Sequence, residues 1–199
     1  MGGTVIRVSG GAIRGRRILT PGDAIRPTQE KIRQALFSCL ASQVPGCRFL
    51  DLFAGSGSVG LEAWSRGAGC VFWVERDPRI ASVLKRNVAA LCVPTPGAGL
   101  QAECMGGTRV VTGDAVRFVE NAATDAPFDI IYADPPYARG QRDAWPKKIL
   151  QAVMGGSTLG PKGVLVIEQG ADEPRLEYEG WAPTRERVYG GTLLRFWEK

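Results

Sequence analysis

Short apolar runs and amphipathic stretches alternate along most of the chain. The runs are rich in β-branched and aromatic residues, as expected of buried strands. Between them, apolar residues recur every three or four positions, which is the spacing of one helix face. The strand-like runs cover residues 49–53, 70–74, 110–111, 128–133 and 163–168, and the helical stretches cover 59–66, 80–91, 116–123 and 145–154. This alternation predicts an α/β fold with a doubly wound sheet.

The last part of the chain breaks the alternation. Arg187–Tyr189 and Thr192–Trp197 are two β-like runs separated only by Gly190-Gly191. Two glycines between short strands are typical of a tight hairpin, because glycine adopts the backbone angles that such turns require. We therefore expect two closing strands, the last of which enters the sheet antiparallel to its neighbours.

The first 45 residues follow a pattern of their own. Two short β-like runs flank Gly10-Gly11 and predict a hairpin whose exposed positions are arginines. A helix is expected to begin at Pro27 or Thr28. Its apolar stripe is Ile32, Ala35, Leu36, Cys39 and Leu40. These features predict a hairpin-and-helix extension at residues 1–45 and a main domain at residues 46–199.

Positive charge is concentrated in this extension. The whole chain has a net charge of +5, and residues 1–33 carry seven basic side chains against Asp23 and Glu30, so the remainder is neutral overall. The seven are Arg7, Arg14, Arg16, Arg17, Arg26, Lys31 and Arg33. A basic arm on a neutral body favours a polyanionic partner bound at one end of the protein. A solubilising surface is the alternative interpretation.

Composition excludes several other classes of protein. The chain contains no histidine, which removes the commonest acid–base group and most metal sites, and we expect no metal. Its five cysteines are odd in number and never two or three residues apart, which favours free thiols. Neither an apolar run of about 18 residues nor a signal peptide is present. We therefore expect a cytoplasmic protein without a membrane partner.

The most informative stretch is Asp134-Pro135-Pro136-Tyr137, which directly follows an apolar run. Proline has no N–H for the strand ladder, so the chain must leave the sheet at Asp134. The Asp134 carboxylate and the Pro135 carbonyl are then adjacent acceptors that suit an exocyclic amino group, and Tyr137 suits stacking on the ring that bears it. The alternative is a tight loop in which Asp134 caps the next segment and Tyr137 is part of the core.

Acidic or glycine-rich segments also follow the other predicted strands. Asp51 precedes a glycine-rich loop containing Gly55 and Gly57, Glu75 ends the next strand, and Asp114 ends the one after that. Right-handed crossovers place these strand ends, with Asp134, on one edge of the sheet. A nucleoside ligand fits along such an edge, with Glu75 on the ribose hydroxyls and Asp114 near the adenine amino group.

Two cofactors suit these residues, a nicotinamide dinucleotide and S-adenosylmethionine. Gly55-x-Gly57-x-x-Gly60 matches the dinucleotide fingerprint, but this match alone is weak. Asp51 would repel a pyrophosphate and attract the amino group of S-adenosylmethionine, directly or through water. Asp134-Pro135-Pro136-Tyr137 has no role in hydride transfer, and the closing hairpin is foreign to a plain dinucleotide domain. S-adenosylmethionine is therefore the favoured cofactor.

Together these motifs resemble the RsmD family, the guanine-N2 methyltransferases of small-subunit (16S) ribosomal RNA. The arginine-rich hairpin together with Arg26-Pro27-Thr28 narrows the match to this family, whereas the glycine and double-proline motifs occur in many methyltransferases. A loop at 94–107 is longer than expected for the family. The matching segments are residues 6–11, 14–16, 26–28, 35–37, 51–63, 66–68, Glu75, Asn87 and 134–137.

The resemblance implies a Rossmann-like class I methyltransferase with a mostly parallel seven-stranded sheet and an antiparallel last strand. It implies a flipped-out guanine held by the catalytic residues Asp134, Pro135, Pro136 and Tyr137. The implied S-adenosylmethionine site comprises Asp51, Ala54, Gly55, Ser56, Gly57, Glu75, Arg76, Asp114, Ala115 and Asp134. The implied RNA contacts are Arg7, Arg14, Arg16, Arg17, Arg26 and Thr28. The partner would be 16S ribosomal RNA within the small subunit or an assembly intermediate, bound by a monomer.

Other nitrogen methyltransferases remain alternatives. Enzymes that methylate a glutamine amide of a release factor are similar around the cofactor but carry Asn where Asp134 stands. DNA amino-methyltransferases share Asp-Pro-Pro-Tyr, although 199 residues leave little room for a target-recognition segment. Carbon-5 methylation of cytosine is excluded, because no cysteine lies near the two prolines. A nucleotide-sensing or RNA-binding module without catalysis is a further alternative.

Overall fold

The computed structural model describes residues 6–20, 28–93, 107–121, 126–136, 144–173 and 180–199. Helices and strands alternate as the hydrophobic pattern predicts. The elements are β1 (Ile6–Arg7), β2 (Arg17–Ile18), α1 (Thr28–Cys39), β3 (Arg48–Leu52), α2 (Ser58–Ser65), β4 (Cys70–Glu75), α3 (Pro78–Leu91), β5 (Thr108–Thr112), α4 (Ala115–Glu120), β6 (Phe128–Ala133), α5 (Ala144–Gly155), β7 (Leu159–Gly170), β8 (Arg185–Tyr189) and β9 (Thr192–Glu198).

Seven strands form one sheet in the order β5-β4-β3-β6-β7-β9-β8. Strands β3 to β7 pair parallel, whereas β9 is antiparallel to both β7 and β8. The predicted mostly parallel sheet with an antiparallel last strand is confirmed. The chain order reverses between β3 and β6, and the crevice beyond the carboxyl ends of such strands is the usual ligand site of open α/β sheets.

The sheet is covered on both faces, which explains why its strands are almost continuously apolar. Phe49 and Trp73 face one cluster, with Leu36 of α1 and Leu84 of α3. The other face packs against α4 and α5 through Leu50 and its neighbours. Successive strand residues point to opposite faces, so neighbouring positions such as 49 and 50 enter different clusters.

The N-terminal segment shares the first of these clusters. Ile6, Val8 and Ile18 of the hairpin and Ile32 of α1 are buried in the same cluster as Phe49 of the sheet. The boundary between residues 1–45 and 46–199 remains a division predicted from sequence. The shared cluster means that the basic hairpin is held against the main sheet by apolar packing.

The hairpin is confirmed, but its connection is not the tight turn that Gly10-Gly11 suggested. β1 and β2 pair over only two residues each, Ile6 with Ile18 and Arg7 with Arg17. Gly11 instead lies against α2 with φ +80, where a Cβ would stand 1.9 Å from the carbonyl oxygen of Ser65. These glycines therefore allow a close backbone approach to α2.

Other boundaries shift modestly from the sequence prediction. α4 ends at Glu120, two residues before the predicted Ala122-Ala123 end, which lies outside the described residues. β7 begins at Leu159, earlier than the predicted residue 163, and includes Pro161. Most of the loop predicted at 94–107 also lies outside the described part, which resumes at Gly107.

Candidate active site

Two adjoining cavities lie beyond the carboxyl ends of the parallel strands. The larger has a volume of about 580 Å³ and is lined by the ends of β4, β5 and β6. The smaller, about 200 Å³, lies beside the loop that follows β3. Phe53, Ile80 and Asp134 line both. Asp134 therefore stands at the junction of the two cavities.

The predicted cofactor residues divide between the cavities. Glu75, Arg76, Asp114, Ala115 and Asp134 line the larger one. The smaller one is lined by Asp51, Ala54, Gly55, Ser56 and, again, Asp134. Gly57 lines neither and instead lies close to Leu84 and Trp73. The structure thus brings together residues from four strand ends that are far apart in sequence.

Glycines shape the loop between β3 and α2 for two different reasons. Gly55 has φ +55, and a Cβ there would meet nothing within 4 Å, so its backbone faces open space. Gly57 and Gly60 are crowded instead, since added Cβ atoms would lie 2.2 Å from Leu84 and 2.1 Å from the indole nitrogen of Trp73. The first glycine opens the loop to a ligand, and the other two let α2 pack closely on β4 and α3.

Asp51 is buried and holds the start of α2. The Gly60 N–H donates to its Oδ2 at 2.9 Å. Burial raises the pKa of Asp51 to about 8, and the nearby charge of Glu75 adds to this rise, against the lowering by the Gly60 hydrogen bond. Asp51 was predicted to bind the cofactor's amino group; in the structure one of its oxygens is engaged by the backbone while the residue still lines the smaller cavity.

Glu75 joins the glycine loop to the start of α3. Its two carboxylate oxygens accept from the backbone N–H groups of Gly55 at 2.9 Å and Asp77 at 2.8 Å. These bonds fix the carboxylate at the wall of the larger cavity. A fixed carboxylate in this position suits the predicted grip on ribose hydroxyls, because each oxygen retains a second lone pair.

Asp114 caps α4 as well as lining the larger cavity. The backbone N–H of Arg117 donates to its Oδ1 at 3.0 Å, which satisfies one of the free amides in the first turn. Ala115 is buried behind it. The cap holds Asp114 in place beside the space predicted for the adenine ring.

The two prolines end β6 as predicted. The strand stops at Ala133, Asp134 is half-buried, Pro135 is buried and Pro136 is exposed in the larger cavity. Tyr137 lies outside the described residues, so its stacking role remains a prediction. Asp134 therefore stands at the sheet edge where the two cavities meet, whereas Pro135 lines neither of them.

Four of the predicted RNA-binding residues are exposed on the N-terminal hairpin. They are Arg7, Arg14, Arg16 and Arg17. Three of these, Arg7, Arg16 and Arg17, border a surface groove with Asn87 and the apolar Leu19. Arg26 lies outside the described residues. Thr28 begins α1, but its side chain also lies outside the described part.

Arg33 does not belong to the exposed basic surface, contrary to its inclusion in the basic arm. It is only 3% exposed because its Nε donates to Glu62 at 3.3 Å and its Nη2 donates to the carbonyl of Arg7 at 2.7 Å. Glu62, itself fully buried, also accepts from the backbone and hydroxyl of Ser9 and from Arg66. This network ties the hairpin to α1 and α2.

Asn87 makes a second connection between the hairpin and the site. Its Oδ1 accepts from the Leu19 N–H at 2.9 Å, and its Nδ2 donates to the carbonyls of Leu19 and Ser56, each at 2.9 Å. Ser56 belongs to the glycine loop. One amide side chain therefore fixes the end of the hairpin against the loop that lines the smaller cavity.

Sequence reasoning missed Tyr132 and Glu168, which both line the smaller cavity with Asp134. The Tyr132 hydroxyl donates a short hydrogen bond to Glu168 Oε2. Burial raises the pKa of both groups, and the charge of Glu168 adds to the rise at Tyr132. A signal for Glu168 existed, because it ends the apolar run of β7 as Asp134 ends that of β6. Tyr132 lies within an apolar run and gave no such signal.

Comparison with known proteins places the chain in a family. The family model described as "Conserved hypothetical protein 95" matches residues 6–198. Ribosomal RNA small subunit methyltransferase D of Escherichia coli is 30% identical over 197 residues, covering 98% of this chain and 90% of that protein. The chain belongs to the RsmD family. The Bacillus subtilis relative "Putative rRNA methyltransferase YlbH" is also 30% identical, with 98% and 99% covered.

Solved structures agree with this membership. The putative methyltransferase yhhF of Escherichia coli has a TM-score of 0.78 at 30% identity, with 98% of each chain covered. A hypothetical protein of Thermus thermophilus has a TM-score of 0.75 at 32% identity, with 96% of this chain and 98% of that one covered. RsmD-family membership confirms the class I methyltransferase fold and S-adenosylmethionine as the cofactor.

The main rival matches less of the chain. A release factor glutamine methyltransferase of Bifidobacterium longum is 30% identical over 115 residues, covering 56% of this chain and 37% of that protein. The RsmD-family relatives extend instead through the N-terminal hairpin to the closing strands.

Within the described residues, each helix is too short or too polar to cross a bilayer.

Proposed function

We propose that this chain transfers the methyl group of S-adenosylmethionine to the exocyclic N2 amine of a guanine in 16S ribosomal RNA. The observation that carries the proposal is the position of Asp134, followed by Pro135, at the junction of the two cavities. The names of the full-length relatives support ribosomal RNA as the substrate. We further propose that a monomer acts on the small subunit or on an assembly intermediate.

The larger cavity suits the nucleoside part of the cofactor. Glu75 is fixed there for the ribose hydroxyls, and Asp114 stands on the next strand end for the adenine amino group. Gly55 leaves the loop open beside them. Asp51, in the adjoining cavity, suits the cationic amino group of the methionine part. The residues present therefore fit S-adenosylmethionine along the edge from β5 to β3.

Asp134 and Pro135 would orient the target amine. The lone pair of guanine N2 is delocalised into the ring, so the amine is a weak nucleophile. Accepting its two N–H groups directs the lone pair out of the ring plane and offsets the positive charge that develops on nitrogen. S-adenosylmethionine supplies an electrophilic methyl group whose bond to sulfur breaks as the carbon–nitrogen bond forms. The surplus proton on nitrogen then passes to Asp134 or to water.

The hairpin arginines would hold the RNA at the mouth of the smaller cavity. Ile6 and Thr20, at the two ends of the hairpin segment, line that cavity, as does Ile32 of α1. Arg7, Arg14, Arg16, Arg17 and, by prediction, Arg26 and Thr28 bind phosphates on either side of the flipped base. Phosphate contacts of this kind supply affinity and register, and the cavity supplies base specificity.

Deletion and complementation test the proposal. Small-subunit rRNA from cells that lack this gene should lose one N2-methylguanosine per molecule, and a plasmid carrying the wild-type chain should restore it. An unchanged N2-methylguanosine content, with a methylated adenine in DNA or a methylated glutamine in protein lost instead, would contradict the proposal and support the alternative nitrogen methyltransferases.

A further inference from the structure

Glu168 is an acidic side chain in the smaller cavity whose position the transfer reaction itself does not explain. It lies near the carboxyl end of β7, the strand next to β6, and is only 7% exposed. It lines the same cavity as Asp134, Tyr132 and Phe53. Among the described residues, the one hydrogen-bond partner of its carboxyl group is Tyr132, which donates to Oε2.

Burying a carboxyl group without a cationic partner is costly, so such groups are retained chiefly at functional sites. Arg33 is a cation that lines the cavity, yet its hydrogen bonds go to Glu62 and to the carbonyl of Arg7. Asp51 and Asp134 add two more acidic side chains. The cavity is therefore rich in acceptors and suits a ligand edge that presents several N–H donors.

The Watson–Crick edge of guanine is such an edge, because its N1–H lies beside the two N–H groups of N2. Adenine and cytosine present a lone pair at the equivalent ring nitrogen. The carboxyl groups of Asp134 and Glu168 come from neighbouring strands, which lie about 4.8 Å apart. Both side chains line the smaller cavity, so their oxygens can meet two adjacent donors of one base.

We propose that Glu168 is a specificity-determining residue that accepts the N1–H of the target guanine while Asp134 and the Pro135 carbonyl accept the N–H groups of N2. This inference rests on the proposed function. Tyr132 holds Glu168 in place through the bond to Oε2, which leaves Oε1 for the base. A base with a lone pair at this position is rejected, because it faces the acceptor oxygen without a proton between them.

The test compares guanine with 2,6-diaminopurine at the methylated position. The analogue keeps the N2 amine but has a lone pair in place of N1–H. Each base is placed in 16S rRNA by splinted ligation, and the rRNA is reconstituted into small subunits. We expect the wild-type protein to act on the analogue with a kcat/KM about 100-fold lower, the usual effect of losing a charge-assisted hydrogen bond. Equal kcat/KM values would overturn the proposal without the need for any variant.

Glu168→Gln separates this contact from other differences between the two bases. The glutamine amide can donate to the ring lone pair of the analogue, so the ratio of analogue to guanine kcat/KM should rise about tenfold or more. The Kd for S-adenosylmethionine should stay within about twofold, since the proposed cofactor contacts are Asp51 for the amino group and the larger cavity, which Glu168 does not line, for the nucleoside. An unchanged ratio would mean that discrimination arises at position 6 of the base, and would overturn the role of Glu168.

Glu62→Gln is the matched control, because Glu62 is also buried but lies in the network that holds the hairpin. It should lower kcat/KM for both bases equally and leave their ratio unchanged; a shifted ratio would mean that the ratio reports general damage. The proposed function and the role of Glu168 are contradicted by different results. Absence of N2-methylguanosine on guanine-containing subunits would overturn the proposed function, whereas methylation of guanine and analogue alike would overturn only the role of Glu168.

Discussion

Several acidic residues at the sheet edge hold the backbone while they face a cavity. Asp51 accepts from Gly60, Glu75 from Gly55 and Asp77, and the Asp114 side chain from Arg117. These bonds fix the carboxylates before a ligand arrives, so less ordering is needed on binding. Asp134 differs from them in its position, because it lines both cavities, and we propose on that ground that it contacts the substrate as well as the cofactor.

Asp134→Ala should slow methyl transfer far more than it weakens cofactor binding. The substitution removes an acceptor that orients the amine and offsets developing charge, an effect typically worth about 100- to 1,000-fold in kcat. Isothermal titration with S-adenosylmethionine and single-turnover transfer to small subunits measure the two steps separately. Loss of cofactor binding with a normal transfer rate at saturation would contradict this role.

The pKa of Asp51 predicts that cofactor affinity depends on pH. With a pKa of about 8, Asp51 is mostly protonated at pH 6. The cofactor's amino group is cationic below about pH 7.7 and favours the carboxylate, so binding lowers this pKa and releases a proton. The association constant should therefore rise between about pH 5.5 and 7, by up to about tenfold per pH unit.

Asp51→Asn is the control for this effect, because asparagine can still accept from the Gly60 N–H but does not titrate. Titrations across the same pH range should show a flat association constant for the variant. A wild-type slope equal to that of the variant would mean that Asp51 does not meet the amino group.

At the scale of elements, the sequence predicted the strands and helices of the main sheet well. Their signals are local: an apolar run, a helical stripe and a terminating glycine or proline within about ten residues. The contacts that hold the hairpin were missed, because Ser9 and Glu62 are 53 residues apart and Leu19 and Asn87 are 68 apart. Glu168 had a local signal at the end of an apolar run, but its place beside Asp134 depends on β7 lying next to β6, which the sequence does not show.

Packing of α2 on the sheet gives a prediction about stability. Gly60→Ala would place a Cβ 2.1 Å from the indole nitrogen of Trp73, which is fully buried and cannot move freely. The free energy of unfolding should fall by about 2 kcal/mol, a typical cost of overpacking. Chemical denaturation measures this change.

Gly155→Ala is the matched control. It lies at the end of α5, and its added Cβ would meet nothing within 4 Å. Its stability should be unchanged or slightly raised, since alanine restricts the unfolded chain. Equal stability of both variants and the wild type would contradict the packing argument.

At the scale of the whole molecule, the exposed arginines belong to a hairpin segment whose two ends line the smaller cavity. The exposed arginines lie on the hairpin, which contacts of Glu62 fix to α2 and contacts of Asn87 fix to the glycine loop. The sequence predicted that the excess positive charge of +5, which lies in residues 1–33, binds a polyanion. Burial of Arg33 reduces the exposed part of that arm, which composition alone does not reveal.

Replacing Arg14, Arg16 and Arg17 with glutamine should weaken RNA binding and flatten its salt dependence. Loss of three phosphate contacts should reduce the slope of log K against log salt by about 2. Filter binding to 16S rRNA at several salt concentrations measures this slope. The Kd for S-adenosylmethionine should not change, because these residues do not line either cavity.

A triple variant elsewhere on the surface controls for net charge. Its positions are Arg117, Lys162 and Arg187, all exposed and far from the hairpin in sequence. It carries the same net charge as the hairpin variant but should keep the wild-type slope. Equal slopes for the two triple variants would show that the total charge, and not the hairpin, governs RNA binding.

Methyl transfer with purified components tests the central claim most directly. Small subunits from cells lacking this gene are incubated with the protein and S-adenosylmethionine labelled in its methyl group, and the rRNA is digested to nucleosides. We expect label in N2-methylguanosine, at one position of 16S rRNA. Label in a protein or in another nucleoside, with none in N2-methylguanosine, would contradict it.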